Sequence, residues 1–448
     1  MSKIRLIKAL GILLTVLSGQ NAFSQETLPA WSEGTLDLHF IATGRGDASF
    51  YVLPDGTKIL CDAGDVGTAW HVAQPDPSLT PGQWIAKYIK DFSADLPGKA
   101  DVVDYFYLTH HHDDHFGSMR SSRPGPHGYP LSGITEVGEE IHFNKIIDRD
   151  IENLSYPSKE YYEKKMSPFF KKGVVPYWYY QRDSCGTILE DFRIGERNQF
   201  KMVNDPKPYR KNFEIYNIAS NGFIHTGKGH KVRSMSKDDP ELYDENMFSC
   251  VFLMKYGKFS FYNGGDIPGG IRPGTVTDRD YESQVADLIG GHVTMLKPDH
   301  HGWKESMNPY IINKLSPDVV VVMCSQTQHP YYESFLRLID PLSKGYPRKI
   351  FFTTDGSRDR MGRELGYKLA EIELGQVKTT PEGKELGKKI LGEDLAKRLT
   401  DELWSHVEPA QGHIVVRVHP GGNSYQVFVL DAKKPGYEVL YKTDVIEL

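Results

Sequence analysis

The segment LTHHHDDHFGS, Leu108 to Ser118, sets His110, His111, His112, Asp113, Asp114 and His115 side by side directly after the apolar run Val102 to Leu108. Crowding imidazoles and carboxylates in this way costs charge repulsion and desolvation unless something cationic compensates. At the end of an extended strand His110 and His112 project to the same side, and a sharp turn into a helix brings Asp114 and His115 round to a second position. Nitrogen and oxygen donors so arranged suit two borderline divalent cations, zinc first and manganese second. Such a pair polarises a phosphoryl or carbonyl oxygen and lowers the pKa of water towards neutrality, so the chemistry expected is hydrolysis without a protein nucleophile. No G-x-S-x-G elbow and no catalytic cysteine arrangement competes for that role.

The elements that must position these residues follow from the hydrophobic pattern. LDLHFIA, ASFYVLP and KILCDAG read as short strands, with Pro54-Asp55-Gly56 turning the second into the third. Pro81 to Phe92 carries apolar residues at helical spacing, and Pro81 suits a first turn. VVDYFYLT is the strand that delivers the histidines. Further strands are the hairpin FSCVFLMKYGKFSFYNGGD, VTMLKP, DVVVVMCS and KIFFTTDG, and the hairpin HIVVRVHPGGNSYQVFVLDA. Helices are expected over Tyr281 to Ile289, Asn308 to Leu315 and Tyr332 to Leu338. Strands interleaved with helices predict a layered α/β domain. Ser121 to Glu245 lacks sustained periodicity and Met361 to Ala410 is charged and helix-like; both read as additions, an insertion over 121–245 and an accessory helical segment over 361–410, in a domain spanning 30–448.

Seven further motifs occur in order: Gly44-Arg45-Gly46-Asp47-Ala48, Asp62-Ala63-Gly64, Asn246 to Ser249, Gly265-Asp266, Leu296 to Gly302 (LKPDHHG), His329-Pro330 and Thr354 to Gly356. With the H-x-H-x-D-H signature at His110 to His115, the sequence resembles the metallo-β-lactamase fold, an αββα sandwich. Within it, the chain is similar to the nuclease-like domain of the ComEC-type DNA-uptake proteins. The resemblance implies that His110 and His112 bind a first metal ion, that Asp114 and His115 bind a second, and that Asp266 bridges both. It implies that one of His300 and His301 completes the second site, with His301 favoured, and that Asp62 orients an imidazole from behind. His329 is implied to stand near the centre, donating a proton to the leaving group or holding a phosphate. Many relatives supply one more histidine to the first metal; His225 and His230 are the available candidates, with His142 a weaker one.

At 448 residues, with 39% hydrophobic and 25% charged side chains, the chain has a globular composition. Lys3, Arg5 and Lys8, the apolar Ala9 to Leu17 and the small residues Ala22 and Ser24 predict an export leader over 1–24, hence a periplasmic or secreted protein without a membrane anchor. Loss of the leader moves the formal charge from −6 to −9, which disfavours general nucleic-acid binding unless a local basic groove exists. Cys61, Cys185, Cys250 and Cys324 show no C-x-x-C pairing; the three in apolar runs read as buried thiols, with one disulfide open. For substrate, YYEKKMSPFFKKGVVPYWYYQR interleaves aromatics with lysines, and Trp178, Tyr179, Lys171 and Lys172 are candidates to stack bases and meet phosphates. The alternative is that these aromatics pack the segment onto the core. Three functions stay open: an exported phosphodiesterase acting on a nucleic-acid or small-molecule substrate, a small-ester hydrolase of the same fold (phosphorylcholine esterase-like or lactonase-like), and a non-catalytic metal-containing binding protein.

Overall fold

The computed structural model describes residues 26–43, 46–66, 76–270, 279–323, 329–375 and 380–448. The leader read over 1–24, the Gly44-Arg45 pair and Cys324 lie outside these residues. Two large sheets form the framework. In the first, the strands run, edge to edge, Val439–Lys442, Ser424–Leu430, His413–Val418, Leu36–Phe40, Ser49–Val52, Lys58–Cys61, Val102–Tyr107, His142–Asp148 and Ile188–Asp191. In the second the order is Val232–Ser234, Phe223–His225, Phe213–Ser220, Val251–Tyr256, Phe259–Asn263, Met295–Lys297, Val319–Val322 and Lys349–Phe352. Both sheets are mixed. Pairing is antiparallel through the hairpins and parallel from Lys58–Cys61 onward in the first sheet and from Phe259–Asn263 onward in the second.

Side-chain alternation along the strands decides what each face meets. Leu36, Leu38, Phe40 and Tyr51 of the first sheet join Phe252, Met254, Phe259, Phe261, Val319 and Val321 of the second in one buried cluster, so the sheets pack face to face. Phe50, Val52, Leu60 and Phe106 point the other way and pack with Ile85, Ala86 and Ile89 of the helix Pro81–Ser93. Leu296, Val320 and Val322 likewise share a cluster with Val285, Ile311, Ile312 and Phe335 from three helices. The helix Pro81–Ser93 starts where its sequence says it should. Thr80 Oγ1 accepts from the Gln83 amide and Gln83 Oε1 accepts from the Thr80 amide, a reciprocal cap ahead of a proline. Tyr281–Ile289 and Tyr332–Leu338 are helices over the ranges expected, and Asn308 caps the helix Pro309–Leu315 by accepting from the Ile311 amide.

Residues 121–245 differ from the expected insertion. Within them, His142–Asp148 pairs in parallel with Val102–Tyr107, Ile188–Asp191 extends that sheet, and Phe213–Ser220 pairs with Val251–Tyr256 in the second sheet. The segment is therefore woven into both sheets. Residues 361–410 do form helices, Arg358–Gly375 and Pro381–Trp404. Met361, Leu365 and Leu403 anchor them in the core, and Trp404 stacks on Phe352 at 5.1 Å. Cys61, Cys185 and Cys250 are free, and burial pushes the Cys61 and Cys250 thiols well up. Among the described residues no helix is long and apolar enough to cross a membrane.

Where the closing hairpin meets the first strand, His413 Nδ1 accepts the Ala42 amide at 3.1 Å, so the imidazole is held neutral. Burial, aided by His39, lowers its pKa from 6.5 to about 3. The native state thus binds fewer protons than the unfolded chain between these values, and the stability His413 contributes is present above pH 6.5 and is lost as pH falls towards about 3. Urea unfolding at pH 7 and at mildly acid pH should show wild type losing stability over this interval more steeply than His413→Gln; equal losses would contradict this reading.

Candidate metal centre

Four loops at the carboxyl ends of central strands build the site, the end of an α/β sheet where ligands commonly bind. Lys58–Cys61 runs into Asp62, Val102–Tyr107 into His110, Phe259–Asn263 into Asp266, and Met295–Lys297 into His300 and His301. The four-residue helix Asp113–Phe116 then turns Asp114 and His115 back over the strand ends. Its backbone is clamped: the Asp47 amide donates to Asp114 O (2.8 Å), the Ala63 amide to His115 O (2.8 Å) and the Asp65 amide to Asp113 O (3.2 Å). Gly64 lies against this turn so closely that a Cβ there would sit 1.7 Å from Asp114 O.

The side chains converge. Ligand-type atoms of Asp114, His115, Asp266 and His301 all lie within 4.8 Å of one another, a group that could hold a metal ion. His301 Nε2 is 3.2 Å from Asp114 Oδ2 and 3.2 Å from Asp266 Oδ2, and His115 Nε2 is 3.4 Å from Asp266 Oδ2. His110 Nε2 stands 3.8 Å from Asp266 Oδ2 and 3.1 Å from His112 Nδ1, so His110 adjoins the same carboxylate and His112 adjoins His110. His300 Nε2 is 3.9 Å from Asp266 Oδ2 but lies outside the tight group, to which His301 belongs. Both histidines have left-handed backbone, φ 48° and 52°, and the His300 amide is tied to Gly265 O at 3.1 Å. Two consecutive non-glycine residues in this region are costly, and such strain persists where surrounding contacts impose it.

A carboxylate stands behind each of two imidazoles. Asp62 Oδ2 accepts from His115 Nδ1 at 2.8 Å, while Asp62 itself is fixed by the Thr109 amide and hydroxyl at 2.8 and 2.9 Å. Asp47 Oδ1 is 3.1 Å from His301 Nδ1. With Nδ1 occupied in this way, each ring presents Nε2 to the cluster, the arrangement that orients metal-binding histidines. Burial alone would depress His115, but Asp266, Asp62 and Asp114 outweigh it and raise its pKa from 6.5 to about 10; His301 is raised by Asp266 and Asp47 in the same way. Burial opposes ionisation of Asp266 too, yet His301, His115 and His110 hold it well below the ordinary carboxylate range. Without a cation, protons on the imidazoles compensate the carboxylates. Both buried oxygens of Asp266 lack a hydrogen-bond donor, which suits a group whose partner is a cation. The pocket is closed on most sides: Asp266, His115 and His301 are almost wholly buried, whereas the Asp114 and His300 side chains are each 23% exposed.

Three participants escaped the sequence reading. Lys297, at the end of an apolar strand and within the LKPDHHG motif, buries its ammonium 2.8 Å from Asp47. Asp47 itself lies in the glycine motif. His111 turns away from its neighbours and places Nε2 2.7 Å from Asp148 Oδ1; its amide donates to Glu245 Oε1, which also holds the buried Arg149 at 2.7 Å. The histidine run is thereby fastened from behind.

Other candidates are not brought to the centre. His225 is buried and uses both nitrogens elsewhere, on the Tyr216 hydroxyl and on Gly229 O (2.7 Å), so it is not available as a ligand. His230 is exposed, 4.0 Å from Glu196, and His142 stands in the edge-ward strand His142–Asp148. Trp178 corrects the stacking proposal, since it is 1% exposed and packs on Phe106 and Tyr177. Tyr179 is exposed but carries Arg182 over its ring, and Lys171 Nζ donates to Glu163 O at 2.8 Å; Lys172 is exposed. His329 does arrive: its ring is 5.1 Å from that of His301 and both its nitrogens lack protein partners.

The chain matches no protein-family model and no curated protein sequence.

The clamp has a direct test. Gly64→Ala forces a methyl into the Asp114 carbonyl and should cost at least about 2 kcal/mol of unfolding free energy, whereas Gly291→Ala, with nothing within 4 Å of its new Cβ, should stay within about 0.5 kcal/mol. Equal denaturant midpoints for the two variants would contradict the clamp.

Proposed function

We propose that the protein is a metal-dependent hydrolase of metallo-β-lactamase architecture that cleaves phosphodiesters outside the cytoplasm. The observation that carries the reading is the convergence of Asp114, His115, Asp266 and His301 on one point, with His110 3.8 Å from the same Asp266 carboxylate and His112 3.1 Å from His110. Two sheets packed face to face with helices outside, and the ordered motifs from Asp47 to Thr354, support the architecture. His110 and His112 would hold one divalent ion, Asp114, His115 and His301 a second, and Asp266 would be shared; the donor set of imidazoles and carboxylates suits zinc, with manganese the alternative. When bound, such ions supply Lewis acidity and a water acidic enough to ionise near neutral pH.

The chain's own groups account for the rest. Asp62 and Asp47 fix the tautomers of His115 and His301, so neither ring spends a proton in the reaction. Lys297 offsets part of the negative charge that the buried Asp47, Asp62 and Asp266 and the partly exposed Asp114 would otherwise accumulate. His329 is buried beside His301, with neither nitrogen bonded to the protein. Burial keeps it well below the ordinary histidine range, which makes it neutral, and a neutral imidazole there supplies an N–H to a phosphoryl oxygen rather than acting as an imidazolium acid. Because Trp178 is buried, no aromatic platform for a long single strand forms at that place. A compact phosphodiester, or the end of a longer one, fits the site better.

Asp266→Asn keeps the shape and removes the shared negative charge. Turnover of bis(4-nitrophenyl) phosphate by the metal-reconstituted protein should fall by at least about a hundredfold, with the far-ultraviolet dichroism unchanged. Wild-type turnover in a folded Asp266→Asn protein would sink the mechanism.

A further inference from the structure

Two cavities adjoin histidines of the metal centre, one at His300 and one at His112. One, of about 200 Å³, is bounded by His300, Trp303, Ser306 and Asn246; the other, of about 400 Å³, by His112, Lys165 and Tyr243. Arg279 lines both. Each cavity is thus lined by a histidine beside the centre and by the same guanidinium.

Arg279 is the unusual member of this wall. It is half-buried, and no carboxylate among the described residues pairs with it. Asp244 lines both cavities as well, but its Oδ1 is already accepting the Asn246 amide at 3.1 Å, capping the short turn Glu245–Phe248. By contrast, Lys165 is engaged with Glu241 O and with the face of Tyr161, 4.8 Å away. Glu305 and Glu245 line the smaller and larger cavity respectively, but a guanidinium that none of these carboxylates pairs with keeps its fork of donors for an external planar anion, phosphate or carboxylate. Two more features of the smaller cavity suit an organic substrate. Asn246 Oδ1 is buried without a donor, ready to accept from a hydroxyl, and the Trp303 ring lies nearly parallel to His300 at 5.2 Å, giving a flat apolar wall.

We infer that Arg279 is a specificity-determining residue that binds a second anionic group of the substrate, so that the substrate carries one anion at the metals and another beside it. The inference deepens the phosphodiesterase reading and rests on it for the position of the first anion. The substrate class is therefore a bisphosphate-like or carboxylate-bearing phosphoester, as in a nucleotide with phosphates on both sides of its sugar, and not a phosphodiester flanked by neutral groups.

The test measures binding of two probes to the metal-reconstituted full chain by calorimetry. Thymidine 3′,5′-bisphosphate and thymidine 5′-monophosphate differ by one phosphate. Wild type should bind the bisphosphate about tenfold more tightly, the effect of one charge-assisted contact. Arg279→Ala should erase that preference, Arg279→Lys should retain part of it, and the preference should shrink as salt rises. Equal affinity of wild type for the two probes, no binding of the bisphosphate, or an unchanged preference in Arg279→Ala would overturn the inference. Turnover of the 4-nitrophenyl ester of thymidine 5′-phosphate is read alongside. The preference intact without any turnover supports the anion site while contradicting the hydrolase reading, and turnover without the preference does the reverse.

Discussion

Three aspartates, Asp47, Asp62 and Asp266, are drawn with the partly exposed Asp114 into a space from which water is nearly excluded, and Lys297 places its ammonium 2.8 Å from Asp47. Removing carboxylates from water costs several kcal/mol apiece in a protein interior unless charge and hydrogen bonds compensate. Much of the local structure answers that cost. Lys297 neutralises Asp47, the Thr109 amide and hydroxyl satisfy Asp62, and His115 and His301 carry positive charge towards Asp266 and Asp114 when no metal does. Both Asp266 oxygens at the middle remain without a hydrogen-bond donor, as do those of Asp47, which are held by ion pairs with Lys297 and His301. The sheets, the clamp on residues 113–115 and the strained turn at His300 and His301 all hold these groups closer together than they would choose in water.

The histidine run has two faces with different duties. His110 and His112 look into the centre, while His111 looks out between them to Asp148, with its ring stacked 4.1 Å from that of Phe170. Behind it Glu245 receives the His111 amide and the Arg149 guanidinium, and Arg149 also donates to Asn221 Oδ1 at 3.0 Å. This buried network joins the first sheet at Asp148 to the turn that precedes Val251–Tyr256 in the second. The segment 121–245, which supplies Asp148, Arg149 and Glu245, therefore braces the ligands from behind, and with Lys165 and Tyr243 it also walls the cavity beside His112.

How much of this was legible in the sequence depended on how local the cause was. The helices Tyr281–Ile289 and Tyr332–Leu338 and the turn carrying His110 to His115 could be read directly, because period, caps and spacing all act within a few residues. The partnership of Asp266 and His301 with that turn came from motif order, and its geometry agrees. Contacts between distant segments left no such mark. The Lys297–Asp47 pair joins two sheets, and His225 looks like a free ligand until Tyr216 and Gly229 are seen to occupy its ring. Trp178 was misread for a different reason. The π-helical turn Phe170–Val174 inserts a phase shift just before the helix Val175–Ser184, so the apolar face that buries Tyr177 and Trp178 has no continuous helical period to reveal it. The strands of 121–245 were hidden because each is short and separated from its partners by long irregular stretches.

Metal retention tests the account most directly, since everything from the unpartnered Asp266 oxygens to the orienting carboxylates follows from a cation at this point. Wild type and Asp266→Ala should be reconstituted with zinc or manganese, dialysed, and analysed for metal by plasma emission. The account predicts about one to two ions retained per wild-type chain and a large loss in Asp266→Ala. Wild type that retains none, or a variant that retains as much as wild type, would contradict it.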